Sequence, residues 1–308
     1  MKTAFVFPGL NGLLRQKDRE RYLKLPHVIK RLEQAQTALL RELNLKTDLM
    51  GILKQRNTDE IYRIDNISLA AVVISAIQVG VVDHLREHFP NPEWMVGVSL
   101  GDIARTVSAG AYDFEVAVVS HVRFTYKIDG IDKLGGNIGV ATTLARPFTT
   151  EDFDWFESMG VDVSILTSRF LNVGALFKSL ELVRERARER GWRIMPIIDY
   201  PAHSRYILPY VDASRDEFMN VQTMKPLIPI FSTISCKSLT DPKEIKTEFL
   251  ETITRTIHFE QAITKLYNEH GVTRFVNIGP CKSLYTLLRD ISLDFDIVDA
   301  EDLLATTK

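Results

Sequence analysis

Short β-branched runs alternate with helical stretches along nearly all of this 308-residue chain. That alternation predicts an α/β fold with a largely parallel sheet, because parallel strands need a helix-length crossover between them. Residues 3–7 read as a strand stopped by Pro8-Gly9, residues 27–53 are helical in period, and residues 68–89 form a long apolar helix to be buried on most of its circumference. Residues 94–98 are an apolar strand that runs straight into Ser99, and residues 100–109 read as a helix. The chain must therefore make a sharp strand-to-helix turn at Ser99.

From about residue 128 the texture changes. Strand 137–144, helix 150–158, strands 162–168 and 169–175, helix 177–190 and strand 192–198 follow in a βαββαβ order, the split βαβ arrangement of ferredoxin-like units. The α/β texture then resumes with a strand at 227–232, helices at 242–254 and 259–269, a strand at 274–278 and a helix at 283–291. The expected organisation is a large α/β-hydrolase-like subdomain, residues 1–127 and 197–308, into which a small ferredoxin-like subdomain, residues 128–196, is inserted.

Composition narrows the function classes. With 45% hydrophobic and 25% charged residues the chain can build a sizeable core, and disorder or a disulfide-built scaffold is excluded. Its two cysteines, Cys236 and Cys281, lack the clustered spacing of a zinc site and read as free thiols of a reducing compartment. A net charge of −2 provides no basic field for nucleic acid. The apolar run 67–82 is broken by Ser68, Ser75, Gln78 and Gly80, so neither a membrane span nor a membrane partner is expected, and residues 1–10 read as a strand rather than a signal peptide. The expected compartment is the cytoplasm.

Gly97-Val98-Ser99-Leu100-Gly101 has the G-x-S-x-G form of a nucleophile elbow. Its glycines permit the tight turn, and the serine hydroxyl would sit at the positive end of the following helix, where a developing oxyanion is stabilised. A serine N-cap with packing glycines would give the same pattern. A serine nucleophile needs a base, and of seven histidines His203 stands out, since Pro201-Ala202-His203-Ser204 follows an apolar strand and falls where sites in open α/β sheets collect. A hydrogen-bonded loop histidine is the competing reading. His84-Leu85-Arg86-Glu87-His88 fits the H-x-x-E-H form of a zinc peptidase, but it ends a helix before Pro90 with no distal ligand region, so no metal site is expected.

Phe5-Val6-Phe7-Pro8-Gly9, Gly97 to Asp102, Pro201-Ala202-His203-Ser204 and Val276-Asn277-Ile278-Gly279-Pro280 occur together in one order and spacing. In these motifs, over nearly the whole chain, the sequence resembles the malonyl-CoA:acyl carrier protein transacylase family of free-standing acyltransferases, which includes acyl hydrolase members. The resemblance implies Ser99 as nucleophile and His203 as base, oriented by a main-chain carbonyl that aligns with Thr252. It further implies an oxyanion hole from the backbone N–H groups of Leu10 and Leu100, no bound cofactor, and acyl-CoA or phosphopantetheinyl carrier protein as substrate in fatty acid or polyketide synthesis.

The departures from the family pattern bear on substrate. Malonyl-selective members carry histidine before the serine and an arginine on a following helix. Here those positions are Val98 and, counted without a gap, Phe124, with Arg123 rotated about 100° around a helix. A one-residue gap would restore Arg123. Members that take the smallest unbranched extender carry a bulky phenylalanine directly before the histidine, and that position is Ala202 here. Val98, Phe124 and Ala202 describe a roomy apolar acyl pocket without a partner for a free carboxylate, so selectivity for malonyl is not expected. Lys178, Arg184, Arg186, Arg188, Arg190 and Arg193 by themselves read as a solvated face; the resemblance implies that they steer an acidic acyl carrier protein, with Arg205 and Lys282 near its phosphopantetheine phosphate. Three alternatives stay open: a carrier-protein thioester hydrolase, a docking subunit without catalysis, and a generic α/β-hydrolase with Asp199 as its acid.

Overall fold

A computed structural model of the chain describes residues 1–10, 13, 19–55, 57–63, 66–126, 134–143 and 145–307. In chain order the elements begin with β1 (Lys2–Phe7), α1 (Pro26–Leu43), α2 (Leu49–Lys54), α3 (Thr58–Ile61), α4 (Ile67–His88), β2 (Trp94–Gly97), α5 (Gly101–Ser108) and α6 (Phe114–Tyr126). There follow β3 (Gly135–Ala141), α7 (Thr150–Ser158), β4 (Asp162–Thr167), β5 (Phe170–Leu176), α8 (Phe177–Arg190) and β6 (Arg193–Ile198). The chain continues through α9 (Leu208–Met219), β7 (Ile230–Phe231), β8 (Ser238–Leu239), α10 (Pro242–Glu251), α11 (Phe259–His270), β9 (Val272–Asn277), α12 (Ser283–Leu288), β10 (Asp296–Asp299) and α13 (Ala300–Leu304).

The larger sheet has the order β10-β9-β1-β2-β7-β8 and is parallel throughout except where β8 folds back on β7. Its central strands are apolar on both faces, as a sheet covered on both sides requires. Phe5, Phe7 and Met95 enter one core with α1 and α4, while Ala4, Val6 and Val96 face a second core with α11 and α12. Helix α4 has the length and apolarity to cross a membrane, but 83% of its most apolar window is buried inside the protein, so it is the core helix under the sheet.

The second sheet, order β4-β5-β3-β6, is antiparallel at every pairing. Helices α7 and α8 supply Phe156, Leu180 and Val183 to a separate core with Ile138, Val140, Leu171 and Val173. Helix α7 starts at a capping box between Thr149 and Asp152, and α8 stops at Gly191, whose φ of 70° is left-handed, so both helices keep their expected bounds. The expected boundary at residue 128, and Leu144 at the end of the expected strand, lie outside the described residues.

Other expectations change. The helical run 27–53 is two helices, because Asn44 adopts φ 52° as a left-handed cap and Asp48 starts a new helix by accepting from Gly51 N–H. The strand expected over 227–232 shrinks to Ile230–Phe231. Pro229 has no N–H to offer the ladder, and Leu227 stands 86% exposed. Helix α10 ends at Glu251 rather than Thr254, and the turn that follows faces the candidate site. Helix α9 and strand β10 had no counterpart in the sequence reading.

Candidate active site

The site forms where β2 turns into α5. Ser99 adopts φ 57°, the left-handed conformation of a strained elbow, and its hydroxyl is partly exposed ahead of the first turn of α5. The glycines are sterically required. A Cβ on Gly97 would stand 2.3 Å from Asp102 Oδ1, and one on Gly101 would stand 2.0 Å from the Phe7 carbonyl oxygen. Pro8-Gly9-Leu10 passes beside the elbow so closely that a methyl on Gly9 would lie 3.3 Å from Ser99 Cβ. Leu10 follows Gly9 on the loop after β1, and Leu100 stands at the start of α5, where helix N–H groups lack intrahelical partners.

His203 Nε2 lies 2.8 Å from Ser99 Oγ. It too is left-handed, at φ 57°, and it is buried, 3% exposed. The loop that carries it is fastened on several sides. His203 N–H donates to the Ile253 carbonyl at 2.5 Å, and Asn137 Nδ2, from the small sheet, donates to the Ala202 carbonyl at 2.8 Å. A positive-φ backbone at both partners is the kind of local strain that surrounding structure sustains at functional positions.

The ring nitrogen away from the serine, Nδ1, meets the Arg255 carbonyl at 3.3 Å. Donation of Nδ1–H there leaves Nε2 as acceptor for the serine O–H. The Thr252 carbonyl, anticipated as the orienting group, is a second main-chain oxygen acting on the same ring, three residues upstream. Burial holds the His203 pKa below the ordinary histidine value, against the opposing pull of the Thr252 and Arg255 carbonyls and of Asp102. The imidazole is therefore in its neutral, basic form at pH 7. Asp199 is exposed and no carboxylate meets Nδ1, so a hydrolase-type Ser-His-Asp triad is absent among the described residues.

The residues expected to line the acyl pocket divide. Val98 and Ala202 are buried, at 6% and 7% exposure, beside the two members of the hydrogen-bonded pair. Phe124 is buried with Ile103, Phe249 and Leu250, against which Leu100, Tyr200 and Ile253 pack. Arg123 points the other way. Its exposed side chain lines a surface cavity of about 430 Å³ with Arg41, Glu115 and Gln222. Of the two neighbours on α6, Phe124 is therefore the one in the cluster that Leu100 and Ile253 pack against, and Arg123 is the one at the surface.

Arg205 is held on Asp162 by its backbone N–H and its guanidinium. Lys282 sits 5.6 Å above the Tyr285 ring and lines a surface cavity of about 510 Å³ with Arg169 and Arg289. On α8, Arg184, Arg186 and Arg190 are paired with Glu181, Glu189, Glu151 and Asp152, which reduces the expected cationic excess of that helix. No cluster of three or more His, Cys, Asp or Glu that could hold a metal occurs among the described residues. The sequence reading missed the Arg255 carbonyl and a buried charge cluster, Asp102, Arg105 and Glu248, behind the site. Only the i, i+3 spacing of Asp102 and Arg105 hinted at that cluster.

Comparison with known proteins bears on this geometry. The family described as acyl transferase domain matches residues 23–295. The malonyl CoA-acyl carrier protein transacylase of Bacillus subtilis is 24% identical over 307 residues, covering 98% of this chain and 94% of that protein. A pikromycin polyketide synthase component of Streptomyces venezuelae, PikAIII, is 24% identical over 283 residues, covering 90% of this chain and 17% of that much longer protein. Among solved structures, the malonyl CoA-acyl carrier protein transacylase of Coxiella burnetii superposes with a TM-score of 0.86 at 19% identity, covering 99% of this chain and 96% of that one. At that identity the structural likeness speaks for the fold alone.

Proposed function

The chain belongs to the acyl transferase domain family, and from that premise we propose that it is a serine acyltransferase of fatty acid or polyketide synthesis that works through an acyl-Ser99 ester. The observation that carries the reading is the 2.8 Å contact between Ser99 Oγ and a buried, neutral His203 at a strained elbow. His203 Nε2 takes the hydroxyl proton as Oγ attacks the thioester carbonyl. The oxyanion is stabilised by the Leu10 and Leu100 N–H groups, and the C–S bond then breaks as the departing thiolate takes the proton from the imidazolium. A second thiol, on the phosphopantetheine arm of an acyl carrier protein, reverses the sequence and carries the acyl group away.

The acyl group we assign is uncharged. Val98, Phe124 and Ala202 give the pocket apolar walls, and the exposed direction of Arg123 supports the absence of a carboxylate clamp. A free malonyl carboxylate in that setting would lose its hydration without a charged partner, a cost of several kcal/mol by the ordinary price of burying a charge. The similarity to malonyl CoA-acyl carrier protein transacylases favours malonyl, and this is the competing outcome of the test. We take the four-stranded antiparallel unit with α7 and α8 as the inserted ferredoxin-like subdomain, and Lys282, in its cationic cavity, as the contact for the carrier's phosphate.

The test is a transfer assay with malonyl-, acetyl- and butyryl-CoA, with and without holo acyl carrier protein. Carrier-dependent formation of acetyl- or butyryl-carrier faster than malonyl-carrier is expected. Free acid released as fast as CoA, with or without carrier, would make the protein a thioester hydrolase instead. Absence of both would leave a docking subunit.

A further inference from the structure

Arg105 is a cation with no exposure to solvent. It lies one turn beyond Asp102 on α5, with Nη1 3.0 Å from Asp102 Oδ1 and 3.2 Å from Glu248 Oε1 on α10. Both carboxylates are buried, at 1% and 6% exposure. The other oxygen of Asp102 accepts a hydrogen bond of 2.6 Å from Thr252 Oγ1, immediately past the end of α10. Three ionisable groups taken out of water are poor stabilisers compared with apolar side chains of the same volume, so stability does not account for them. Such groups do fix geometry, and a guanidinium, with its planar fork, does so with little freedom.

What the cluster joins is specific. At one end, α5 begins directly behind Ser99. At the other, the turn after α10 carries the three groups that hold His203: the Ile253 carbonyl on its backbone N–H, and the Arg255 and Thr252 carbonyls on its ring. Each half of the hydrogen-bonded pair therefore hangs from one end of the same buried bridge, which runs from Asp102 to Glu248 through Arg105 and from Asp102 to Thr252 directly.

We propose that Arg105, through Asp102 and Glu248, is a positioning residue that locks α5 to the turn at residues 252–255 and so holds His203 in reactive register with Ser99. The proposal rests on acylation of Ser99 with His203 as base. It predicts that loosening the bridge slows chemistry and leaves substrate binding intact, because neither Arg105 nor Thr252 Oγ1 lines the acyl pocket assigned above. Misplacement of a base by about 1 Å costs on the order of a hundredfold in rate, so a partial loosening is expected to cost about tenfold.

The experiment measures acylation of the full-length protein by butyryl-CoA under single-turnover conditions, together with the thermal midpoint. The variants are Arg105→Gln, Arg105→Lys, Thr252→Val and Thr252→Ser. Thr252→Val, which exchanges the hydroxyl for a methyl and keeps the main chain, should lower the maximal acylation rate about tenfold with half-saturation within about twofold. Thr252→Ser should recover the rate to within about twofold, Arg105→Gln should fall as Thr252→Val does, and Arg105→Lys should recover part of the loss. The double variant Arg105→Gln/Thr252→Val should be no slower than the worse single one, as members of one bridge are not additive. If Arg105→Gln does not fold, the Thr252 pair decides. A folded Thr252→Val that acylates at the wild-type rate, or whose defect lies in half-saturation alone, overturns the proposal while leaving the acyl-Ser99 reading intact. A wild-type protein whose Ser99 is acylated by none of malonyl-, acetyl- and butyryl-CoA overturns both.

Discussion

Replacing Phe124 by arginine tests the pocket reading at its most exposed point. Phe124 is buried, 6% exposed, among Ile103, Phe249 and Leu250, with Leu100 and Ile253 against it. A guanidinium there would start from the same buried cluster, against which Leu100, the neighbour of Ser99, packs. A hydrogen bond to a charged group contributes about 1.5–3 kcal/mol. A pocket that gains one such bond to a malonyl carboxylate should therefore raise malonyl kcat/KM relative to butyryl by about 10- to 150-fold. The substitution also removes a packed aromatic ring, whose stem the arginine replaces only in part, so stability should fall by roughly 1–3 kcal/mol. The assay is the ratio of kcat/KM for malonyl-CoA and butyryl-CoA in wild type and Phe124→Arg, with urea unfolding of each. A wild type that already prefers malonyl, or a folded variant whose ratio does not move, would refute the argument that an apolar ring at residue 124 sets the acyl preference.

His203→Asn should slow acylation of Ser99 by about 10²- to 10⁴-fold, the range a general base contributes, as read by stopped-flow release of CoA. Because burial holds the His203 pKa below the ordinary histidine value, the base form fills as pH rises through a midpoint below 6.5. Acylation should thus be at its plateau at pH 7 and fall on acidification, and a midpoint above 7 in the pH–rate profile would contradict the assigned environment. Gly97→Ala would press a methyl 2.3 Å from Asp102 Oδ1 and 2.8 Å from Asp102 main-chain atoms, so urea unfolding should show a loss of about 1–3 kcal/mol.

Where local chemistry carried the signal, the sequence was legible. The ends of α7 and α8 follow from Thr149 with Asp152 and from Gly191, all short-range features. The elbow was legible for a different reason: glycines two residues either side of Ser99 are needed for close approach, and an apolar strand precedes them. His203 could be singled out because it follows a strand end, and the structure brings it to Ser99 across 104 residues of chain. Elements fixed by tertiary pairing were not legible. Strand β7 is two residues long because only Ile230 and Phe231 find partners on both sides, and β10 is a strand because β9 lies beside it. The break at residues 44–48 was written in Asn44 and Asp48 but masked by a helical period that continues across it. The bridge from Arg105 to Glu248 spans 143 residues and leaves no local mark.

The central claim is a covalent one, and intact-protein mass spectrometry tests it most directly. After brief exposure to malonyl-, acetyl- and butyryl-CoA, the wild-type protein should gain the mass of one uncharged acyl group, located on Ser99 by peptide mapping, and Ser99→Ala should gain none. An unmodified wild type across the panel, or an adduct of the same mass retained by Ser99→Ala, would contradict the account.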